Sequence, residues 1–176
     1  MKRLGLIAAL AMAVVGLTAS GASASTTTFN AAAAPTGTHL QTGTIGCTVD
    51  SSTQLVTCSA YELAGVGNAD ATATLDANYT ATVQCRNHGG QIVEVKSQAE
   101  ARPTTTGALR PKNGRLDVPL LNSGPVPSAH DFEAMATCPN GNWTKELLDG
   151  TVALSSFTYT LHFTGFTGNY VTITGP

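Results

Sequence analysis

ATATLDANYTATVQC, residues 71–85, alternates apolar and polar side chains along fifteen positions. In a β-strand the apolar members share one face, whereas an α-helix would scatter them around its circumference. The stretch therefore predicts a strand, or two strands joined by a bend near Asp76 to Asn78. One face would lie toward a core and the other toward water.

The same two-residue period recurs in SSFTYTLHF (155–163) and DFEAMATC (131–138). Further candidate strands, separated by turns that contain Gly, Pro or Asn, are THLQTGTIGCTV, QLVTCSAY, QIVEVKSQ, GRLDVPLL, WTKELLD and NYVTIT. No segment of the sequence keeps helical spacing for a dozen residues. Short strands bounded by turn residues are typical of all-β domains, because antiparallel strands need no crossover helices.

This pattern predicts an all-β fold, namely an antiparallel two-sheet sandwich that resembles the immunoglobulin architecture and carries two disulfides. A bridge between distant cysteines favours the sandwich, because such a bridge joins its two sheets. A closed β-barrel is the alternative, since both architectures share the two-residue period.

The four cysteines predict the disulfides, because an even number in an exported chain is typical of an oxidising compartment. In IGCTVDSSTQLVTCSA (45–60), a short turn places Cys47 opposite Cys58 in a hairpin. Opposed residues of an antiparallel pair are close enough to be bridged. This favours Cys47 with Cys58, which leaves Cys85 with Cys138. A zinc site is disfavoured, because the sequence has no CxxC motif.

The amino-terminal segment has the features of a secretory signal. Residues 1–24, MKRLGLIAALAMAVVGLTASGASA, join a basic start to an apolar run and small residues. The apolar run is shorter than a bilayer span, so we expect a Sec-type signal peptide, a secreted chain and no membrane span. We further expect a flexible amino-terminal arm over residues 25–37, either mobile or weakly docked, and a single, monomeric β-sandwich domain over residues 38–176.

Charge argues against a nucleic-acid partner. Removal of the signal leaves seven basic and eleven acidic residues, a net charge of −4, whereas phosphate binding requires clustered Lys and Arg. The one basic cluster lies in EARPTTTGALRPKNGRLD (100–117), whose Pro, Gly and Thr content indicates a loop. Arg110 and Lys112 in this loop are candidate binding residues.

Three motifs could carry chemistry. His88 lies in CRNHGG, which is similar to the oxyanion loop of some esterases, but the GxSxG nucleophile motif is absent and a turn is favoured. His130, Asp131 and Glu133 lie too close in sequence to converge on a metal, so we predict no metal site. Trp143 could stack on a ligand, but packing over the nearby disulfide is favoured.

Several stretches together resemble a group of small secreted proteins from actinobacteria. They are the signal peptide, LAGVGNADATATL, CRNHGG, KNGRLDVP, CPNGNW, LSSFTYTLHFTGF and VTIT. The resemblance covers most of the mature chain and implies an exported, all-β, disulfide-bonded domain, but it contains no catalytic signature. In composition, the chain also resembles secreted apoproteins that carry enediyne chromophores, by analogy alone.

We therefore expect a non-enzymatic secreted domain, without a cofactor, that binds an extracellular or cell-wall partner through its end loops. Its candidate binding residues are His88, Arg110, Lys112 and Trp143, provided that their loops and NSGPVPSAH (122–130) meet at one end. A small-molecule carrier with an apolar cleft between the sheets is the second hypothesis. A secreted hydrolase with convergent His and carboxylate groups is the third.

Overall fold

The computed structural model describes residues 25–95 and 99–176. These residues form antiparallel sheets that pack as an all-β sandwich with two disulfides, and none of the sheets in this part of the chain closes into a barrel. The predicted fold class is therefore confirmed. The segment predicted to be a signal peptide, residues 1–24, lies outside the described residues.

The elements follow one another closely along the chain. The strands are β1 (Thr26–Phe29), β2 (His39–Gly43), β3 (Cys47–Val49), β4 (Val56–Cys58), β5 (Tyr61–Ala64), β6 (Ala71–Thr80), β7 (Val83–Arg86), β8 (Ile92–Val95), β9 (Ala99–Thr105), β10 (Arg115–Val118), β11 (Leu121–Asn122), β12 (Thr144–Leu147), β13 (Ala153–Phe163) and β14 (Val171–Gly175). A 3-10 turn (Ala31–Ala33) follows β1, and the helix α1 (Ala129–Met135) precedes β12.

Five strands form the main sheet, in the order β1-β14-β13-β6-β9. Its centre is the long ladder between β6 and β13, which runs from the pair Ala71–Phe163 to the pair Thr80–Ala153. The remaining strands form three smaller sheets in the orders β10-β5-β2, β11-β4-β3 and β12-β7-β8. Each of these sheets is antiparallel.

The stretch that opened the sequence analysis forms two strands, with its break later than expected. Burial alternates without a slip along β6, so the chain runs straight through Asp76 to Asn78. The break lies at Ala81 and Thr82, where backbone groups turn to another loop: Thr82 N donates to Thr151 Oγ1 and its carbonyl accepts from Leu148 N. These bonds replace ladder partners and allow β7 to join a different sheet.

Buried side chains from the main sheet and from the smaller sheets form one hydrophobic core. Two pairs of hydroxyl groups connect the layers inside it. Tyr61 Oη on β5 lies 2.9 Å from Tyr159 Oη on β13, and Tyr79 Oη on β6 lies 2.9 Å from Ser123 Oγ. Ser123 Oγ also accepts from Val56 N. Each buried hydroxyl named here therefore has a partner, as burial of polar groups requires.

The buried tyrosines predict a loss of stability at high pH. Desolvation raises the pKa of Tyr61 and Tyr159 above the ordinary value. Such a group stabilises the fold fully below its unfolded pKa of about 10, and this contribution is lost as the pH rises from there toward the folded pKa. We expect the free energy of unfolding, measured with urea, to fall above about pH 10.

Ultraviolet titration checks the same prediction, because tyrosinate absorbs differently from tyrosine. These two groups should ionise only as the protein unfolds, and Tyr61→Phe should make the alkaline fall in stability shallower. Ionisation of all four tyrosines near pH 10 in the folded protein would contradict the prediction.

DFEAMATC was expected to be a strand, and this prediction is wrong. Its residues 131–135 belong to α1, which begins after a capping box: Ser128 Oγ accepts from Asp131 N, and Asp131 Oδ2 accepts from Ser128 N at 2.8 Å. Phe132 and Ala136 are buried but Ala134 is exposed. The two buried residues are thus separated by about one helical turn, not by the two-residue period of a strand. Local capping, which the two-residue pattern ignores, decided the structure of this segment.

Residues at the start of the segment that was expected to be a mobile or weakly docked arm pair with the main sheet. Residues 26–29 form an edge strand that pairs antiparallel with β14, and Phe29 makes an edge-on contact with Tyr170. Ala33, in the following turn, is fully buried. The pairing satisfies backbone groups along the edge of β14, which would otherwise lack partners. The low-complexity composition of the segment gives no sign of it.

Both predicted disulfides are confirmed, Cys47 with Cys58 and Cys85 with Cys138. The hairpin register is also as expected, with Cys47 opposite Cys58 and Val49 opposite Val56. No helix within the described ranges is long and apolar enough to span a membrane.

Candidate functional site

Two of the predicted binding loops lie together at one end of the molecule. Arg86 at the end of β7 pairs with Thr144 at the start of β12, so the turn that carries His88 lies beside the loop that carries Trp143. The Cys85–Cys138 disulfide joins the same two segments. His88 is exposed in a turn that Asn87 closes by accepting from Gln91 N at 2.7 Å, which confirms the turn interpretation of HGG.

The other two predicted residues lie at the opposite end, which corrects the expectation of one shared surface. Leu109 bridges to Ala71 at the start of β6, and Arg110 and Lys112 are exposed just beyond it. The ten residues of β6 separate this end from β7, a distance of roughly 30 Å for an extended strand. A single partner loop cannot contact both ends at once.

Trp143 is half-buried and lines a hollow of about 320 Å³ together with Cys138, Asn140 and Lys145. Trp143 and the disulfide cysteine Cys138 line the same hollow, and packing of the ring over the bridge stays a prediction. Beside the hollow, Glu146 accepts from Arg86 Nε at 3.2 Å and from Gln84 Nε2 at 3.3 Å. These bonds hold the end of the β7–β12 ladder. Among the described residues that line the hollow, Lys145 is the one basic residue.

The acidic residues of AHDFE hold the fold together. Asp131 caps α1 and accepts from Arg102 at 2.9 Å, and Glu133 accepts from Leu147 N at 3.0 Å. Hydrogen bonds from the Ser128 backbone and side chain lower the pKa of Asp131 below its ordinary value. No group of three potential metal ligands converges among the described residues.

Arg102 belongs to β9, an edge strand, although the sequence placed it in a loop. It pairs with Ala77 and therefore lies on the core side of the sheet, where it contacts Glu100 at 2.7 Å and Asp131 at 2.9 Å. Inward charges and the adjacent Pro103 discourage the addition of another strand to this edge. The ion pairs of Arg102 with Glu100 and Asp131 therefore lie where they protect an edge of the main sheet.

An open groove of about 520 Å³ lies over the sheet β10-β5-β2 and includes two acids, Glu62 and Asp117, on directly paired residues. Glu62 is engaged on both oxygens: Oε1 accepts from Arg115 at 3.1 Å and Oε2 from Thr42 at 3.3 Å. A catalytic carboxylate must reach a substrate proton or carbon. Glu62 is therefore occupied in a structural role.

The outer face of the main sheet carries the most regular feature of the molecule. Strand registers place one threonine from each of its five strands in a single row, and side chains of directly paired residues share a face. In order across the sheet, the row consists of Thr28, Thr172, Thr160, Thr74 and Thr105. We call this row and its neighbouring threonines the threonine face.

A second row lies two residues along each strand. It continues the threonine face through Thr26, Thr174 and Thr158, and then passes to Asp76 and Pro103. Thr72, beside His162, adds one more member. Asp76 is the single charged residue among the outward side chains of the main sheet that the structure describes.

Most of the threonine hydroxyls have no protein partner among the described residues, although Thr105 Oγ1, at the end of the row, accepts from Gly107 N at 3.3 Å. Thr28 Oγ1 donates to the Thr172 carbonyl, but in the described part of the chain the hydroxyls of Thr158, Thr160, Thr172 and Thr174 make no hydrogen bond to protein, and none is a buried unsatisfied atom. The sequence contains a signal for this surface, the Thr-x-Thr motif in residues 26–28, 72–74, 158–160 and 172–174. Only the strand order aligns the motifs.

No family model, curated protein or solved structure matches this chain. The threonine face, which is in register across all five strands of the main sheet, is the feature from which a function is proposed below.

Proposed function

We propose that this protein is a secreted, non-enzymatic binding module whose threonine face binds an extended, uncharged surface outside the cell. The observation that carries the proposal is the row of five threonines in register across the whole main sheet. The two disulfides support an extracellular location, because such bridges persist in oxidising compartments.

The chemistry of threonine suits this role. Each side chain offers a methyl group and a hydroxyl group, so it combines apolar contact with hydrogen bonding. Its β-branched side chain has few rotamers in a strand. Binding therefore costs little side-chain conformational entropy. A row of such groups is preorganised for a partner that repeats at the same spacing.

The structure offers less support for a carrier or a hydrolase. Large side chains fill the space between the layers, among them Tyr79, Phe157 and Tyr159, each at most 1% exposed. The acids that could act in catalysis, Glu62, Asp131 and Glu133, are bound to protein groups. The end loops remain available for partners, but they lie at opposite ends and do not form one surface.

Co-sedimentation with insoluble solids tests the proposal. We would incubate residues 25–176 with cell-wall fractions, chitin, cellulose and powdered ice, and measure the fraction of protein bound. Thr160 lies in the middle of the row, so Thr160→Lys places a charged side chain at its centre. We expect this variant to bind at least about tenfold more weakly, which corresponds to roughly 1.4 kcal/mol.

Thr48→Lys is the matched control, because Thr48 is an exposed strand residue of a different sheet. It adds the same charge without touching the threonine face, and we expect it to bind like the unmodified protein. Equal loss of binding in both variants would show that charge alone matters. Failure to bind any solid would overturn the proposal.

A further inference from the structure

We propose that the solid bound by the threonine face is ice, and that the protein adsorbs to ice crystals and restrains their growth. This inference rests on the proposed function and specifies its ligand class as ordered water. The observation behind it is the two-dimensional repeat of hydroxyl and methyl groups, which a binding surface for a single molecule does not require.

The repeat has two spacings, both fixed by the backbone. Neighbouring strands lie about 4.7 to 4.9 Å apart, and residues two apart on a strand are separated by roughly 6.7 Å. The spacing between strands lies close to the shorter oxygen repeat exposed on a prism face of hexagonal ice, and the spacing along a strand is somewhat smaller than the longer repeat. Water held between the threonines can therefore take positions that continue the lattice of the crystal.

A complete block of the array covers three adjacent strands. It comprises Thr26 and Thr28 on β1, Thr172 and Thr174 on β14, and Thr158 and Thr160 on β13. Its side chains carry no charge, which matters because a charged group holds its own hydration shell against the lattice. The methyl groups between the hydroxyls order the neighbouring water without competing for its hydrogen bonds.

The composition of the face favours ice over a crystalline polysaccharide. Sugar surfaces are bound by stacking on aromatic rings, which present an apolar body to the flat side of the sugar. Among the described outward residues of the main sheet there is no Phe, Tyr or Trp, since Phe157, Tyr159 and Phe163 face the core and Phe29 pairs with the buried Val171 on the inner face. The only tryptophan, Trp143, lies away from the main sheet, beside β12.

Sheet twist limits the strength of the effect. Neighbouring strands of a sheet are rotated by about 20 to 25° relative to one another, so the outer strands turn away from any flat plane. Adsorption should therefore involve the three-strand block and be moderate. We expect inhibition of recrystallisation, which needs slow exchange at the crystal surface, to exceed the depression of the freezing point.

The test measures uptake into ice directly. Residues 25–176 are frozen slowly onto a cold surface, and the protein in the ice is compared with the protein left in solution; grain growth in a frozen sucrose solution gives a second readout. We expect the protein to enrich in the ice. Thr160→Lys should need at least about ten times the concentration for the same restraint of grain growth, while Thr48→Lys should match the unmodified protein.

Circular dichroism and thermal melting show whether each variant is folded, and Thr160→Val keeps the shape and the methyl groups if lysine is not tolerated there. Exclusion from ice, together with polysaccharide binding that Thr160→Lys abolishes, would overturn the ice inference and support the proposed function. Binding to no solid would overturn both. Self-association in sedimentation velocity that depends on Thr160, without binding to any solid, would also overturn both.

Discussion

Replacement of both Cys85 and Cys138 by serine will lower the free energy of unfolding by about 4 kcal/mol. The two residues are 53 positions apart in sequence, so the bridge closes a long loop and restricts the unfolded chain strongly. It also joins β7 to the loop before β12, and Cys85 is fully buried. Urea titration followed by circular dichroism gives the free energy directly.

The other disulfide is the control for this prediction. Cys47 and Cys58 are 11 positions apart and already opposed within a hairpin, so their replacement by serine should cost less, about 3 kcal/mol. The order of the two losses follows from loop length. A larger loss from the short bridge than from the long one would contradict the chain-entropy explanation.

Phe157→Ala will cost about 3 to 5 kcal/mol of stability. The ring is 1% exposed and lies on β13 between Ala77 of β6 and Gly175 of β14. It covers the glycine so closely that an added Cβ at Gly175 would lie 2.7 Å from Phe157 Cζ. Removal of the ring leaves a cavity that two small neighbours cannot fill.

Phe29→Ala is the comparison for this substitution. Phe29 is 58% exposed on an edge strand and makes an edge-on contact with Tyr170, so we expect a loss of about 1 kcal/mol or less. Because domains of this kind are stable by only about 5 to 15 kcal/mol, Phe157→Ala should shift the urea midpoint far more. Equal shifts would show that the ring is not a core element.

Local pattern determined much of the fold in advance. The alternation in residues 71–85 and 155–163 depends only on which face each side chain occupies. These segments form β6 and β13 of the main sheet and most of β7, which belongs to the sheet β12-β7-β8. The Cys47–Cys58 pairing follows from a hairpin, in which the turn fixes the register. The two-residue pattern gave a wrong prediction for residues 131–135, where the capping box at Ser128 starts a helix instead of a strand.

The candidate site was largely beyond sequence reasoning. His88 and Trp143 lie together because β7 and β12 pair, whereas Arg110 and Lys112 lie at the opposite end. The chain gives no local sign of this difference, because the separation depends on which strands become neighbours. A single threonine carries no distinctive chemistry, so the sequence alone does not mark the threonine face as a site.

The sequence by itself determined that this chain forms strands with one polar face, and which cysteines pair, because side-chain alternation and hairpin register are local properties. The tertiary structure alone decided that the polar faces become one ordered surface. Thr28 and Thr172 are 144 residues apart in sequence and become neighbours only when β1 pairs with β14. That pairing arises from burial of the opposite face, so packing of the core aligns the threonines outside it.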